Sequence, residues 1–473
     1  MPTVEHYRDL LRLTFSDRSW LIGFPVHAAA RATTRTLCEL GARPCFVISA
    51  SPGTGPGPAP EHAPRQHVLG LAGEEMMTGI HRALDALAAV PPEIRADVDA
   101  WDPRGEARSI GTIFDDGRPV AGRRKYGARR PTWMALEDKI AVERLWEELD
   151  VPRAPHRVVP IERSLLLGAH TDLDRGLGTI WAGDNRDGWH GGASRLRWVR
   201  DREDATVAAD FLAQHCDQVR VMPFLEGIPC SIHGIVFPDH VIALRPCEML
   251  VSRRTDCPGL VYAAAGTFWD PPHADRGAMR ALAQTVGGHL RDTLGYRGAF
   301  TIDGILSEEG FVPTELNPRF GAALGEVAHA LPDLPLMLLN LALVEGEDLD
   351  WRPRALEALL LDAADRSRAG RIGVTTAQQR EDSDEAHFVH DGAWRLAREG
   401  EEPHAKAFVG PAVAGTYAGA RFVAEHTPVG PPLAGRATAL LNALEAHWDL
   451  GLPPLAPPVD VRRAVTDRGE EPR

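Results

Sequence analysis

The stretch GAFTIDGILSEEGFVPTELNPRFGAAL, residues 298–324, limits what this chain can fold into more than any other. It reads as two short apolar strands around the turn Glu308-Glu309-Gly310. A three-residue hairpin loop wants glycine in the left-handed position at its end. That loop pairs Ser307 with Phe311, and therefore Asp303 with Glu315 and Thr301 with Asn317. Strand side chains alternate with period two, so Asp303, Glu315 and Asn317 share one face. The two carboxylates then stand opposite each other, with Cβ atoms roughly 5 Å apart. A loop one residue different would put them on opposite faces. At ~5 Å and an effective dielectric near 20, two like charges repel by on the order of 3 kcal/mol. Something positive belongs between them. Two carboxylates and an amide oxygen form a hard-oxygen set of the kind Mg2+ takes, with water and phosphate oxygens completing its shell. Arg319 continues the same face and carries a fork suited to phosphate or carboxylate. The rival reading of these residues is a solvated hairpin face bearing ordinary acids.

The bulk properties narrow the setting. The 473 residues suggest two to four domains. A formal net charge of −14 argues against a nucleic-acid or anionic-membrane surface, since both want a basic stripe. No run of about 18 apolar residues is present to span a bilayer. The polar start MPTVEHYRDLLRLTF lacks a signal-peptide core, so a cytoplasmic protein is expected. Six scattered cysteines form no C-x-x-C pair, which disfavours a disulfide framework or a structural zinc site. Lysine occurs only at Lys125, Lys139 and Lys406, which makes each one worth examining.

SWLIGFPV, AAARATTRTLCELGA and RPCFVISA read as strand, helix and strand, so an α/β unit opens the chain. Its first β–α turn, GFPVHAAAR, lacks the G-x-G-x-x-G of a dinucleotide fold, which sets a Rossmann dehydrogenase aside. EARSIGTIFDDGRPVAG looks like a hairpin, and TWMALEDKIAVERLWEEL like one long helical run carrying Lys139. GTIWAGDNRDGWHGGASRLRWV reads as strand, glycine-rich loop and strand. VRVMPFLEG and VIALRPCEML read as further strands.

FTIDGIL…FVPTELNPRFG resembles the metal-binding hairpin of the ATP-grasp ligases, an acid on one strand and E-x-N-P-R on the next. EDKIAVERLWEELDVPRAPHRVV is similar to that family's D-K…G-V-P-x-P segment. VRVMPFLEG resembles its adenine hinge, and GDNRDGWHGGASRLRWV stands where its glycine-rich lid loop stands. These four segments keep the family's order over residues 131 to 325. The resemblance implies an α/β and α+β chain. Residues 1–130 would be a Rossmann-like pre-ATP-grasp domain and 131–348 the ATP-grasp domain. Within the latter, the lid would span about 152–222 and the metal-binding half about 223–348. Residues 349–453 would form a C-terminal α+β region and 454–473 a disordered tail.

The resemblance also implies a site. ATP would be bound by Lys139, by Gly188, Gly191, Gly192 and Ser194 of the lid loop, and by Met222, Phe224, Leu225 and Glu226 of the hinge. Mg2+, or Mn2+ in its place, would be held by Asp303, Glu315 and Asn317. Arg319 and Arg245 would be catalytic, although a structural ion pair between Arg245 and Glu248 is an equal reading. His190 reads as a loop histidine and not a metal ligand.

Two departures stand out. The family's second lysine is absent, with Trp181 and Ala182 at its place, so phosphate charge would need another partner such as Arg186 or Arg195. Pro229 replaces the acid expected after the hinge glycine.

The activity implied is ADP-forming ligation of a small-molecule carboxylate, activated as an acylphosphate, to an amine. The arrangement of the two ends looks unlike purine-pathway or biotin-carboxylase enzymes and more like amino-acid and peptide ligases of specialised metabolism. A degenerate nucleotide-binding regulator and another phosphoryl-transfer activity on the same fold are the alternatives. No nucleic acid or membrane partner is expected, and a homodimer is allowed by analogy.

Overall fold

The computed structural model describes residues 3–71, 73, 76–113 and 117–462. The chain opens with the helix Val4–Phe15 and a four-stranded parallel sheet in the order β3-β2-β1-β4. Its strands are β1 (Trp20–Val26), β2 (Phe46–Ser51), β3 (Arg65–Val68) and β4 (Arg108–Ile110). WLIGFPV and FVISAS can be apolar along almost their whole length because helices cover both faces of such a sheet. The segment around β4 is not the hairpin expected from its sequence. β4 adds to the sheet edge parallel to β1, and residues 114–116 of that stretch lie outside the described residues.

A second four-stranded sheet comprises β5 (Arg157–Pro160), β6 (Thr179–Gly183), β7 (Leu196–Val199) and β8 (Gln218–Pro223), in the order β5-β8-β6-β7. One face of it packs Trp181, Val199, Val219 and Val221 onto the helices Arg163–Leu173 and Arg202–Leu212. The pairing of Ile180 with Met222 and Trp198, and of Ala182 with Arg220, puts those residues on the opposite face.

The remaining strands are β9 (Ile228–Val236), β10 (Val241–Ala243), β11 (Cys247–Arg254), β12 (Leu260–Gly266), β13 (Gly298–Ser307), β14 (Gly310–Asn317), β15 (Gly370–Thr376), β16 (Asp384–Asp391), β17 (Ala393–Leu396), β18 (Ala405–Pro411), β19 (Thr416–Phe422) and β20 (Leu455–Ala456). Among the described residues they make one twelve-stranded sheet, running β14-β13-β9-β11-β12-β15-β19-β18-β16-β17, with β10 on β9 and β20 on β11. The 22-residue helix His273–Leu294 covers its first half and ends on Gly295 in the left-handed conformation. The helix Ala434–Trp448 covers its second half. The C-terminal strands therefore extend the same sheet as the metal-type hairpin, through β12 and β15.

The start of the expected disordered tail is instead docked. β20 pairs with β11, and Arg462 donates to both oxygens of Asp275. A short strand partner and one buried carboxylate suffice to hold a Pro-rich segment whose composition reads as disordered. Residues 463–473 lie outside the described residues.

Candidate nucleotide and metal site

The hairpin pairs Asp303 with Glu315 and Thr301 with Asn317, as the sequence suggests, but by a different route. Ser307 pairs with Gly310 and not with Phe311, so the loop is one residue shorter than expected. Continued regularly, that register would put Glu315 on the wrong face. A bulge between Asp303 and Gly304 restores it: Gly304 faces Pro313 while Asp303 faces Glu315, leaving Thr314 as the extra residue. Thr314 steadies the bulge by donating its hydroxyl to the Asp303 carbonyl at 3.2 Å. A Cβ on Gly304 would stand 2.3 Å from the Val312 carbonyl oxygen, so only glycine fits there.

The two carboxylates converge on one point. Asn317 Nδ2 lies 2.8 Å from Asp303 Oδ2 and 3.0 Å from Glu315 Oε1. Lys139 Nζ lies 2.8 Å from the other oxygen of Glu315. Arg319 donates to Asn317 Oδ1 at 3.0 Å. Ser231 on β9, opposite Asp303, donates to its second oxygen. Burial and the facing Glu315 push the Asp303 carboxyl up to about 7, with Ser231 and Arg319 opposing. Burial alone would raise Glu315 as well. The charge and hydrogen bond of Lys139, with Asn317 and Arg319, outweigh it and hold that carboxyl well below the usual range.

Lys139 reaches Glu315 because the expected helical run is broken. Helix Pro131–Met134 and a 3-10 turn Ala135–Glu137 give way to extended backbone at Asp138, and helix resumes at Ala141–Glu148. Asp138 makes the break: its Oδ1 accepts the N–H groups of Ile140 and Ala141, capping the next helix. Its Oδ2 accepts from Asn185 N at 2.8 Å, tying the root of the glycine-rich loop to the same point.

Glu137, one residue earlier, is a hub the sequence reading missed. Almost fully buried, it accepts from Arg129 and from the Trp189 indole, and Arg319 Nε stands 3.6 Å away. Local sequence offers no sign of this, because Arg319 lies 182 positions away along the chain and the indole sits in another sheet's loop.

The lid loop itself holds Gly188, Gly191, Gly192 and Ser194. Gly188 and Gly192 adopt φ of 90° and 61°, and the Ser194 hydroxyl is buried without a hydrogen-bond partner. On the hinge side, Met222 and Phe224 are buried, and the Phe224 ring stacks on Trp198 at 4.4 Å, with the Arg253 guanidinium 5.0 Å from its centroid. Leu225 is partly exposed beside it. Glu226 is bound by both terminal nitrogens of Arg253, which occupies the carboxylate expected at a ribose.

Arg245 is a correction. It is completely buried, bonded to Asp270, Asp365 and the Trp269 carbonyl, and it holds the sheet to the helix Pro353–Arg366. Its partners lie 25 and 120 residues away, so no local pattern reveals them. Nor does it pair with Glu248, whose carboxylate accepts the N–H groups of Leu433 and Ala434 at the start of helix Ala434–Trp448.

Of the two arginines considered for the absent lysine, Arg186 is committed to Asp187, Asp217 and two backbone carbonyls. Arg195 makes one bond, to the Asp184 carbonyl, and its charge is felt at the lid histidine His190. Arg220, opposite Ala182 on the lid's inner face, is already tied to Glu143 at 2.7 Å.

The donor set fits a hard divalent cation. The carboxylate oxygens of Asp303 and Glu315 meet at Asn317 Nδ2, Asn317 Oδ1 is turned to Arg319, and Lys139 and Arg319 supply the balancing charge. Among the described residues no group of three or more His, Cys, Asp or Glu side chains that could hold a metal ion is present. No helix among them is long and apolar enough to cross a membrane.

No protein-family model matches the chain, and no curated protein matches it. Solved structures do. Biotin carboxylase from Campylobacter jejuni, as a β,γ-ATP complex, superposes with a TM-score of 0.55 at 14% identity, over 90% of this chain and 92% of that one. N5-carboxyaminoimidazole synthase from Aspergillus clavatus, with ADP and 5-aminoimidazole ribonucleotide, gives 0.51 at 11% identity, over 91% and 98%. The biotin carboxylase domain of the Hydrogenobacter thermophilus 2-oxoglutarate carboxylase, with MgADP and bicarbonate, gives 0.52 at 12% identity, over 93% and 91%. Coverage of nine-tenths of the chain requires the overlap to reach into both the first α/β domain and the region after residue 349. The layout of its termini therefore does not set this protein apart from such enzymes, contrary to the sequence-based expectation, because the C-terminal strands continue the central sheet.

Proposed function

We propose that this chain, which has the ATP-grasp fold with an α/β domain in front, is an ATP- and Mg2+-dependent ligase. In this reading it phosphorylates a carboxylate with ATP, releases ADP, and joins the resulting acylphosphate to an amine. One observation carries the reading: the converging Asp303, Glu315 and Asn317, with Lys139 and Arg319 beside them. The neighbouring structures that hold ATP or ADP support the choice of nucleotide.

Mg2+ held by Asp303, Glu315 and Asn317 would neutralise charge on the transferring phosphoryl group. Lys139 would bind phosphate oxygens as a point charge, exchanging part of its contact with Glu315 for them. Arg319 is held by Asn317 and Glu137, so its fork is fixed in direction before a substrate arrives, and it would orient the carboxylate or the phosphoryl group. The lid, about residues 152–222, would exclude water from the acylphosphate. Met222 and Leu225 would flank adenine beside the Trp198–Phe224 stack. Amide formation between amino acids or small peptides is the finer proposal; the layout of the two ends does not favour it over carboxylases, and the substrate pool below decides it.

The test is release of ADP and phosphate from Mg·ATP with a pool of amino acids and small carboxylic acids, beside Glu315→Gln. Release that needs both a carboxylate and an amine, and falls at least a hundredfold in the variant, is expected. AMP and pyrophosphate as products would contradict the mechanism. Tight Mg·ATP binding without turnover over a wide pool would favour the regulatory reading.

A further inference from the structure

His190 has no explanation in packing. It sits in the glycine-rich lid loop, yet it is 92% buried, with a relative exposure of 8%. Neither ring nitrogen makes a hydrogen bond; the Asp184 carbonyl lies near the ring without meeting hydrogen-bond geometry. Burying an imidazole with both nitrogens unpartnered is costly, and native structures rarely leave such a group without a reason.

Its surroundings suggest the reason. Lys139, Arg195 and Glu315 are the charged groups whose fields reach the ring. Two of these are the cation and the acid at the centre of the site. Burial, with Lys139 and Arg195, holds the imidazole down at about 4, so it is neutral and carries one N–H. The Ser194 hydroxyl, four residues on, is also buried without a partner. One loop thus presents two unsatisfied polar side chains.

The adjacent residue is anchored. Trp189 is held at both ends: its indole donates to Glu137, and its carbonyl accepts from His81 at 3.0 Å. It also packs against Met77, Ile80 and Leu84 of the helix Met76–Ala88. Glu137 in turn stands beside Arg319 of the hairpin. Next to the fixed Trp189, His190 is buried where the charges of Lys139, Arg195 and Glu315 act on its ring.

Bound phosphates need N–H donors as well as charge, and Lys139 is already paired with Glu315. Arg186 and Arg220 are committed to carboxylates. We propose that His190 is a nucleotide-binding residue of the lid, donating its imidazole N–H to a phosphate oxygen of bound ATP. This rests on the ATP-dependent reading above, and it adds a contact on the lid side that the hairpin does not provide.

The experiment compares wild type, His190→Ala and His190→Gln by calorimetric titration with Mg·ATP, Mg·ADP and adenosine, and by ADP release with saturating carboxylate. Loss of a hydrogen bond to a charged phosphate predicts about ten- to hundredfold weaker Mg·ATP binding in His190→Ala. Adenosine binding should stay within about twofold, since adenosine carries no phosphate. His190→Gln, which keeps a side-chain N–H, should recover most of the loss. Equal weakening of ATP and adenosine without rescue by glutamine would mean a structural role and overturn the proposal. Mg·ATP affinity and turnover unchanged in both variants would overturn it too, while leaving the ligase reading intact. If wild type binds no Mg·ATP, both fail together.

Discussion

At the scale of single residues the site is a balance of buried charge. Glu315 is ionised because Lys139 and Asn317 hold it so, and Asp303 is pushed up because Glu315 faces it. Removing the lysine leaves the partly buried Glu315 carboxylate with only Asn317 and Arg319 to stabilise its charge. Lys139→Met should therefore lower stability by about 3 kcal/mol in chelator. Added Mg2+ should restore part of the loss, because a divalent cation replaces the missing charge. Thermal melts with and without Mg2+ check this; a variant as stable as wild type in chelator would contradict the charge balance.

His233 offers a pH test apart from catalysis. It is fully buried, bonded through Nδ1 to Thr301 at 2.8 Å, and burial pushes its imidazole down to about 3. Between that value and the ordinary ~6.5 the unfolded chain binds a proton that the folded chain refuses. Stability contributed by neutral His233 is thus complete above pH ~6.5 and is lost as pH falls, by up to about 1.4 kcal/mol per pH unit. Denaturant titrations of wild type and His233→Asn from pH 7 to 4.5 should show a shallower acid slope in the variant; equal slopes would sink the assignment.

At the scale of elements, the hairpin shows what a sequence reveals and what it conceals. The alternation of TIDGIL and VPTELN displays strands, and the acid spacing displays a pair. The loop length does not, because a shorter loop plus a bulge reaches the same juxtaposition as a longer loop without one. Gly304 was the available signal, since a glycine inside a strand marks a bulge. Lys139 was legible as a candidate, but its helix was not: a capping aspartate at position 138 interrupts a run of good helix formers, and Asn185, which its second oxygen holds, is 47 residues away. Arg245 was misread because a charged side chain near a site by sequence can belong to a distant ion pair.

Glu248 ties two elements together. It ends the approach of helix Ala434–Trp448 to β11 by accepting two N–H groups at the helix start. Burial raises its carboxyl to about 8, opposed by those two N–H groups. Glu248→Ala should cost about 2 kcal/mol by leaving buried donors unmet. Glu248→Gln, which keeps one acceptor, should cost less. Chemical denaturation of both variants checks the order; an alanine variant within 0.5 kcal/mol of wild type, roughly the effect of a surface change, would contradict it.

At the scale of the molecule, the twelve-stranded sheet makes the C-terminal region part of the framework that carries the hairpin. β15 pairs with β12, and Glu326, just beyond the hairpin, is bound by Arg371 of β15 and Arg421 of β19. The domain boundary expected at residue 348 marks where the chain leaves the site, not where a sheet ends. A chain stopped at residue 348 would expose the edge of β12 and unpair Glu326, so it should aggregate or fail to give a cooperative melt. A soluble, cooperatively folding truncation would refute this. The α/β start and the two strands of the hairpin were readable from the sequence, because each keeps local chemistry. The hub at Glu137 and the docked segment up to Arg462 were not, because their partners meet only in three dimensions.

The account stands or falls on whether the facing acids make a Mg·ATP site. The most direct measurement is calorimetric titration of Mg·ATP into wild type, Asp303→Asn and Glu315→Gln, each confirmed folded by its melt. The account predicts binding by wild type that requires Mg2+ and is weakened by at least tenfold in both variants. Binding unaffected by chelator and equal in all three proteins would contradict it.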